Sequence, residues 1–394
     1  MRFDTLAVHA GSPEFTIGGA HPTAPPLVPA SSYWFDSADE LDRVLGDQQP
    51  GYSYARYASP TVVAFEQAVA ALEGAPAAVA FASGMAAIHA AVRLHAPRPG
   101  SLVLASQDCY GGTFTLLNST LRAEGVDVRF VDVFDINQLE RSISSEKPQA
   151  LLVEVVSNPL ERVAELDAIA NLCKRHGVAL LVDSTFTTPC LIRPLVQGAA
   201  CTIHSATKYL GGHGDVTGGV VACATDEEAA SLRSWRKYTG SVLGVLEAYL
   251  SVRGIRTLPL RVARQCANAA AVARTLSTDG RIERVYYPGL PDSPDYPVAC
   301  RLFPEGLFGA VLAFAIRDAD RSAVMRFLER LRLVRAAPTL GDCFSLVLYP
   351  VIASHRGLTP EERRQRGIHD NVVRFSAGLE DAADLLADLD QALG

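Results

Sequence analysis

The residues best suited to chemistry form one dense run, Ser205-Ala206-Thr207-Lys208-Tyr209-Leu210-Gly211-Gly212-His213-Gly214, directly after the strand-like segment Cys201–His204. A lysine amine just past a strand can condense with an aldehyde. Hydroxyls one and three residues before it can donate to phosphate oxygens, and the glycines let the backbone come close. The set suits a Schiff base to an aldehyde cofactor that carries a phosphate. It is neither a GxxxxGK[ST] loop nor GxGxxG, since position 217 is Thr where a third glycine would fall. Alone, the run also fits an ordinary lysine on a surface turn.

Two further signals change that balance. Asp183 closes the apolar run Val178–Val182, and the carboxyl end of a buried strand is where open α/β sheets place ligand-binding groups. An aldehyde cofactor built on pyridine needs a carboxylate there, so that its ring nitrogen stays protonated and draws electrons. By itself Asp183 reads better as a helix N-cap, and its pairing with Lys208 reverses that. The third signal is Phe81-Ala82-Ser83-Gly84-Met85, a strand, a turn of small residues and a helix start whose N–H groups suit an anion. Positions 81 and 85 are Phe and Met, so this is not a GxSxG esterase elbow.

In order and spacing these signals resemble the Cys/Met-metabolism family of pyridoxal-phosphate enzymes, the trans-sulfuration group of cystathionine synthases and lyases and methionine γ-lyase. The likeness runs along nearly the whole chain, through Gly51-Tyr-Ser-Tyr54-Ala-Arg56, Asp108-Cys-Tyr110-Gly-Gly-Thr113, Ser157-Asn158-Pro159, Val252-Arg-Gly254, Tyr287-Pro-Gly-Leu290 and Val373-Arg374-Phe-Ser-Ala-Gly378. The resemblance implies that Lys208 carries the cofactor and shuttles protons, and that Asp183 pairs with the ring nitrogen. Ser83, Gly84, Met85, Ser205 and Thr207 would hold the phosphate. Tyr110 would stack on the ring and act near the leaving group, and Asn158 would sit by both the phenolic oxygen and the substrate carboxylate. Tyr54 and Arg56 would reach the phosphate of a neighbouring subunit, making a homodimer with shared sites that pairs into a homotetramer. Arg374 would grip the substrate carboxylate, a task suited to its planar fork, with Thr339 and Phe344 nearby on the substrate side.

The resemblance implies elimination at Cβ or Cγ of a sulfur-containing amino acid, as in cystathionine lyases. The alternative is γ-replacement on an activated homoserine, and a more remote one is a homologue without catalysis. Several residues depart from the family pattern. Val155-Val156 replace the Thr-Pro after Glu154, Ser59 and Ser184 replace usual asparagines, and Tyr349-Pro350-Val351 replaces His-Pro-Ala. Phe344 stands where γ-enzymes tend to carry Glu, so it offers no charge to the distal ammonium of cystathionine. Gly112 replaces the reactive Cys of methionine γ-lyases.

Elements that could position these groups follow a βαβ rhythm. Strand candidates fall at Ala77–Phe81, Ser101–Ala105, Asp127–Val131, Ala150–Val156, Ala179–Val182, Cys201–His204 and Val220–Ala224, and helical stretches such as Ala164–His176 separate several of them. Buried-looking runs of this kind predict an α/β fold with a mostly parallel seven-stranded sheet and helices on both faces, the fold-type I arrangement of the resembled family. Residues 1–60, dense in proline and aromatics, predict an irregular arm against a neighbouring subunit. Residues 61–250 predict the cofactor-binding domain, opened by a helix from Thr61 that Gly74 stops. Residues 251–394 predict a smaller α/β domain, with a helix over Leu260–Thr278, strands at Ala310–Ile316, Leu333–Arg335 and Ser345–Tyr349, and helices at Asp320–Leu331 and Asp381–Leu393.

Composition narrows the classes further. The chain has 394 residues, 48% hydrophobic and 20% charged, and a net charge of −7, which excludes a basic nucleic-acid binder. Its eight cysteines include no CxxC pair and its nine histidines no HExxH, so no metal site is expected. The opening MRFDTLAVHAGSPEF lacks the pattern of a signal peptide, and the weakly apolar Ala75–Val92 reads as buried core rather than a membrane span. A cytoplasmic enzyme acting on a small amino acid is expected.

Overall fold

The computed structural model describes residues 1–12, 19–354, 356–357 and 359–394. Seven strands form the larger sheet: β1 (Ala77–Phe81), β2 (Leu102–Ser106), β3 (Asp127–Val131), β4 (Ala150–Glu154), β5 (Ala179–Asp183), β6 (Cys201–Ser205) and β7 (Gly219–Cys223). Their order is β1-β7-β6-β5-β4-β2-β3. The ladders from β6 through β5, β4 and β2 to β3 are parallel, and β7 runs antiparallel between β1 and β6.

Side chains alternate across this sheet into two apolar layers. Leu104, Leu151, Val153, Leu180 and Val182 join one layer with Phe65, Val69 and Leu72 of the helix Pro60–Glu73. Val103, Ala105, Leu152, Leu181 and Ile203 join the other, with Ala87, Ile88 and Ala91 of the helix Gly84–His95. Covering both faces is why the strands read as continuous apolar runs. It also leaves the carboxyl ends of β4, β5 and β6 as the place where polar groups can face a cavity.

Five further strands make the second sheet: β8 (Ile282–Tyr286), β9 (Val311–Ile316), β10 (Arg335–Ala336), β11 (Leu346–Leu348) and β12 (Val372–Ser376), in the order β10-β11-β12-β9-β8. The helix Leu258–Ser277 bridges the two sheets: Val262 and Cys266 pack in a layer of the first, and Ala269, Val272 and Leu276 in the core of the second. Proline two residues into this helix costs nothing, because its missing N–H would have no partner there.

The first 60 residues are less irregular than the sequence suggests. They contain the helices Phe3–His9 and Ala38–Leu45, the second lying between Pro29 and Pro50 in a stretch free of proline. Residues 13–18 of the expected arm lie outside the described residues. The helix expected from Thr61 starts at Pro60 and ends at Gly74, whose φ of 70° suits a residue without a side chain. Among the described residues no helix is long and apolar enough to cross a membrane, and Ala75–Val92 folds as β1 and the helix Gly84–His95.

Candidate active site

A cavity of about 220 Å³ opens at the carboxyl ends of β4, β5 and β6. Ser83, Gly84, Met85, Tyr110, Asn158, Asp183, Ser205, Thr207, Lys208, Thr339 and Arg374 all line it, so residues far apart in the chain meet in one space.

Each group is positioned by a short stretch of local structure. Ser83 is the extended N-cap of the helix Gly84–His95, and its Oγ accepts the N–H of Ala86 at 3.1 Å. The first two N–H groups of that helix have no intrahelical partner and are available to an anion. Gly84 lies so close to β6 that a side-chain carbon there would stand 2.9 Å from Ser205 Cβ. Across this contact Thr207 is held by Gly218, whose N–H donates to Thr207 Oγ1 at 3.1 Å. The Thr185 N–H donates to Asp183 Oδ1 at 2.9 Å, and the Thr185 hydroxyl accepts the N–H of Ser205 at the same distance. Thr185 thereby ties the ends of β5 and β6 together.

Lys208 Nζ donates to Thr339 Oγ1 at 2.8 Å. Burial, and then the charge of Arg374, lower the Lys208 ammonium to a pKa of about 8. Arg374, on β12 and almost fully buried, donates through Nη1 to Asn158 Oδ1 at 3.1 Å and through Nη2 to the Thr339 carbonyl at 3.0 Å. Its Nε is buried with no partner among the described residues. This geometry presents a fixed guanidinium with unused donors.

Tyr110 is 45% exposed at the rim. A side chain at Gly112 would fall 2.5 Å from Tyr110 Cε1, so the ring occupies the space a Cys at 112 would need. Tyr54, Arg56 and Phe344 do not line this cavity. Arg56 instead donates to the Lys237 carbonyl at 2.6 Å and lies over the rings of Tyr54 and Tyr57, while Phe344 is 64% exposed.

Two polar lining residues among those described had no role in the sequence reading. One is Thr185. The other is Glu154, which ends β4 as Asp183 ends β5 and accepts the Tyr110 N–H at 2.6 Å. The strand expected over Ala150–Val156 held Glu154 inside it; β4 instead ends at Glu154, and only that earlier end brings it under the strand-end rule that singled out Asp183.

The whole arrangement matches a known family. A model of the family described as Cys/Met metabolism PLP-dependent enzyme matches residues 4–394. The chain belongs to this family. It is 38% identical to L-methionine gamma-lyase of Pseudomonas putida over 392 residues, covering 99% of this chain and 97% of that protein. Its identity to O-succinylhomoserine sulfhydrylase of Pseudomonas aeruginosa is 39% over 393 residues, covering 99% and 95%. The crystal structure of cystathionine gamma synthase from Xanthomonas oryzae pv. oryzae in complex with aminoacrylate and cysteine superposes with a TM-score of 0.92, at 33% identity, over 100% of this chain and 98% of that one. The chain is therefore a pyridoxal-phosphate enzyme of trans-sulfuration type, acting in sulfur amino-acid metabolism as a lyase or a synthase, on the fold-type I scaffold.

The cavity fits that cofactor on its own chemistry. Free helix N–H groups and two hydroxyls suit a phosphate, the cradle at Gly84 has no room for a side chain, and a carboxyl and an amine face the same space. Among the described residues no group of three or more His, Cys, Asp or Glu stands where it could hold a metal ion.

Proposed function

We propose that this protein eliminates a leaving group from Cβ or Cγ of a sulfur-containing amino acid, as a carbon–sulfur lyase. The observation that carries the reading is Lys208: an amine with a pKa of about 8, in a cavity shared with Asp183 and Arg374, is able to give and take protons near neutral pH.

Pyridoxal phosphate, when bound, supplies an electron-withdrawing ring that stabilises negative charge at the substrate α-carbon. Its phosphate is held by the N–H groups of Gly84 and Met85, by Ser83 and by the hydroxyls of Ser205 and Thr207. The Asp183 carboxylate keeps a proton on the ring nitrogen. Arg374 holds the substrate carboxylate, with Asn158 beside it, and so fixes which substrate bond faces the ring. The Lys208 amine removes the α-proton; for a leaving group on Cγ it then moves a second proton from Cβ. Tyr110 stacks on the ring and protonates the departing group at the rim. Thr339 orients the Lys208 amine, and Phe344 belongs to the outer, substrate-selecting surface.

Arg56 and Tyr54 serve the cavity of a second copy of the chain. Among the described residues the cations lining the cavity are Lys208 and Arg374, and Arg374 is engaged by Asn158 and Thr339. A dianionic phosphate then draws its arginine from a neighbouring subunit.

γ-Replacement is the second reading, supported by the 39% identity to a sulfhydrylase. Both readings share the proton steps at Lys208 and differ in whether a thiol is consumed. Product analysis separates them. Cofactor-loaded protein given L-cystathionine alone is expected to release pyruvate or 2-oxobutyrate. No keto acid from cystathionine, with a thioether formed from O-acyl-homoserine and cysteine, would establish the synthase instead.

A further inference from the structure

Glu154 is a buried carboxyl in the cavity wall that the reaction above does not use. It ends β4 beside Asp183, its partner in the parallel ladder with β5, and neighbouring strands stand about 4.8 Å apart. Both residues line the cavity. Glu154 Oε1 accepts the backbone N–H of Tyr110 at 2.6 Å, so this carboxyl anchors the residue read as stacking on the cofactor.

Three acids act on Glu154: Asp183 on β5, Asp108 in the loop after β2 and Glu161 in the turn after β4. The nearby cations are engaged elsewhere: Arg162 with Asp108 at 3.0 Å, Arg366 with the Gln107 carbonyl at 3.0 Å, Arg374 with Asn158 and Thr339, and Lys208 with Thr339 at 2.8 Å. Two enclosed carboxyls side by side resist ionising together. Burial raises the Asp183 carboxyl too, but Thr185 hydrogen-bonds it and His204 acts on it favourably, so it is the better placed of the two to carry the charge. Among the described residues Glu154 has the Tyr110 N–H alone, and burial followed by the charge of Asp183 drives its carboxyl well above the ordinary range.

We propose that Glu154 is a positioning residue acting as a neutral acid: one oxygen fixes the backbone of Tyr110, and the proton it keeps leaves Asp183 as the ionised member of the pair. The ring nitrogen of the cofactor then meets one negative charge rather than two. This inference rests on the reading of the cavity as the cofactor site.

Glu154→Gln and Glu154→Ala test it, compared with wild type for pyridoxal phosphate affinity of the apo-protein, visible circular dichroism of the bound cofactor and the pH dependence of its absorption. Thermal melting checks folding. Glutamine keeps an oxygen for the Tyr110 N–H and carries no charge. Glu154→Gln is therefore expected to bind within about threefold of wild type, with the same dichroism and a pH midpoint moved by less than about 0.5 unit. Glu154→Ala is expected to bind about tenfold or more weakly and to lose the dichroism, because the Tyr110 backbone loses its acceptor. A glutamine variant as impaired as alanine, or with its midpoint shifted by more than about one unit, overturns the neutral-acid role. An alanine variant indistinguishable from wild type overturns the positioning role. If alanine fails to fold, the glutamine arm still decides. Wild type that takes up no cofactor overturns both this inference and the reading beneath it, whereas a failure confined to the variants leaves that reading standing.

Discussion

Lys208 and Arg374 lie in one cavity, and the charge of the arginine helps hold the lysine down to a pKa of about 8. A base with a lowered pKa is a free amine above that value and an ammonium below it. The rate at which apo-protein takes up the aldehyde cofactor should accordingly rise with pH and level off above about pH 8. In Arg374→Ala the midpoint should move upward; a wild-type midpoint near the ordinary lysine value of 10.5 would contradict the account. The same variant should raise KM for the amino-acid substrate on the order of a hundredfold, since it removes a buried, hydrogen-bonded partner of a carboxylate. Cofactor affinity should change little; loss of cofactor instead would refute the role given to Arg374. At this scale much of the site was legible. Lys208 and Asp183 stand at strand ends, where ligand groups belong, whereas Arg374 was recognisable only through its flanking motif. Glu154 and Thr185 escaped because their work is done through hydrogen bonds to other segments, which spacing along the chain does not reveal.

The elements that carry these residues meet at one tight contact. A side-chain carbon at Gly219, the first residue of β7, would lie 2.2 Å from the Ser83 carbonyl and 2.7 Å from the Gly84 nitrogen. These are backbone atoms of the turn read as the phosphate cradle, and they move only if the turn moves. Gly219→Ala is thus expected to destabilise the fold by about 1–3 kcal/mol, as overpacking generally does, and to weaken cofactor binding as well. Urea unfolding and cofactor titration measure the two effects, and a variant with wild-type affinity would show that the turn is not part of the cradle. The strands of the parallel sheet were legible because burial on both faces makes them continuous apolar runs. β8 and β12 were not. Glu283 and Arg284 in β8 lie exposed at a sheet edge, and Arg374 interrupts β12 with a charge that reads as surface but points inward to Asn158. In the first 60 residues the helices Phe3–His9 and Ala38–Leu45 were missed because each is short and the prolines around them led the whole stretch to be read as irregular.

For the whole molecule, the proposed sharing of sites between subunits makes a quantitative demand. If Arg56 serves a neighbour's phosphate while Lys208 serves its own cavity, Arg56→Ala and Lys208→Ala should each impair activity in different sites of a dimer. In a mixed dimer one site then collects both lesions and the other none. Random reassortment of the two inactive variants should restore about a quarter of wild-type activity, following the symmetry of a two-fold dimer. Activity equal to the average of the separate variants would place both residues in one subunit's site.

The most direct measurement concerns the attachment point of the cofactor. The chain contains four lysines, Lys147, Lys174, Lys208 and Lys237, and among the described residues Lys208 is the one that lines the cavity. Borohydride reduction of cofactor-loaded protein, followed by peptide mass mapping, should find the pyridoxyl group on the peptide containing Lys208, at one per chain. The group on any of the other three lysines, or no stable adduct at all, would contradict the account.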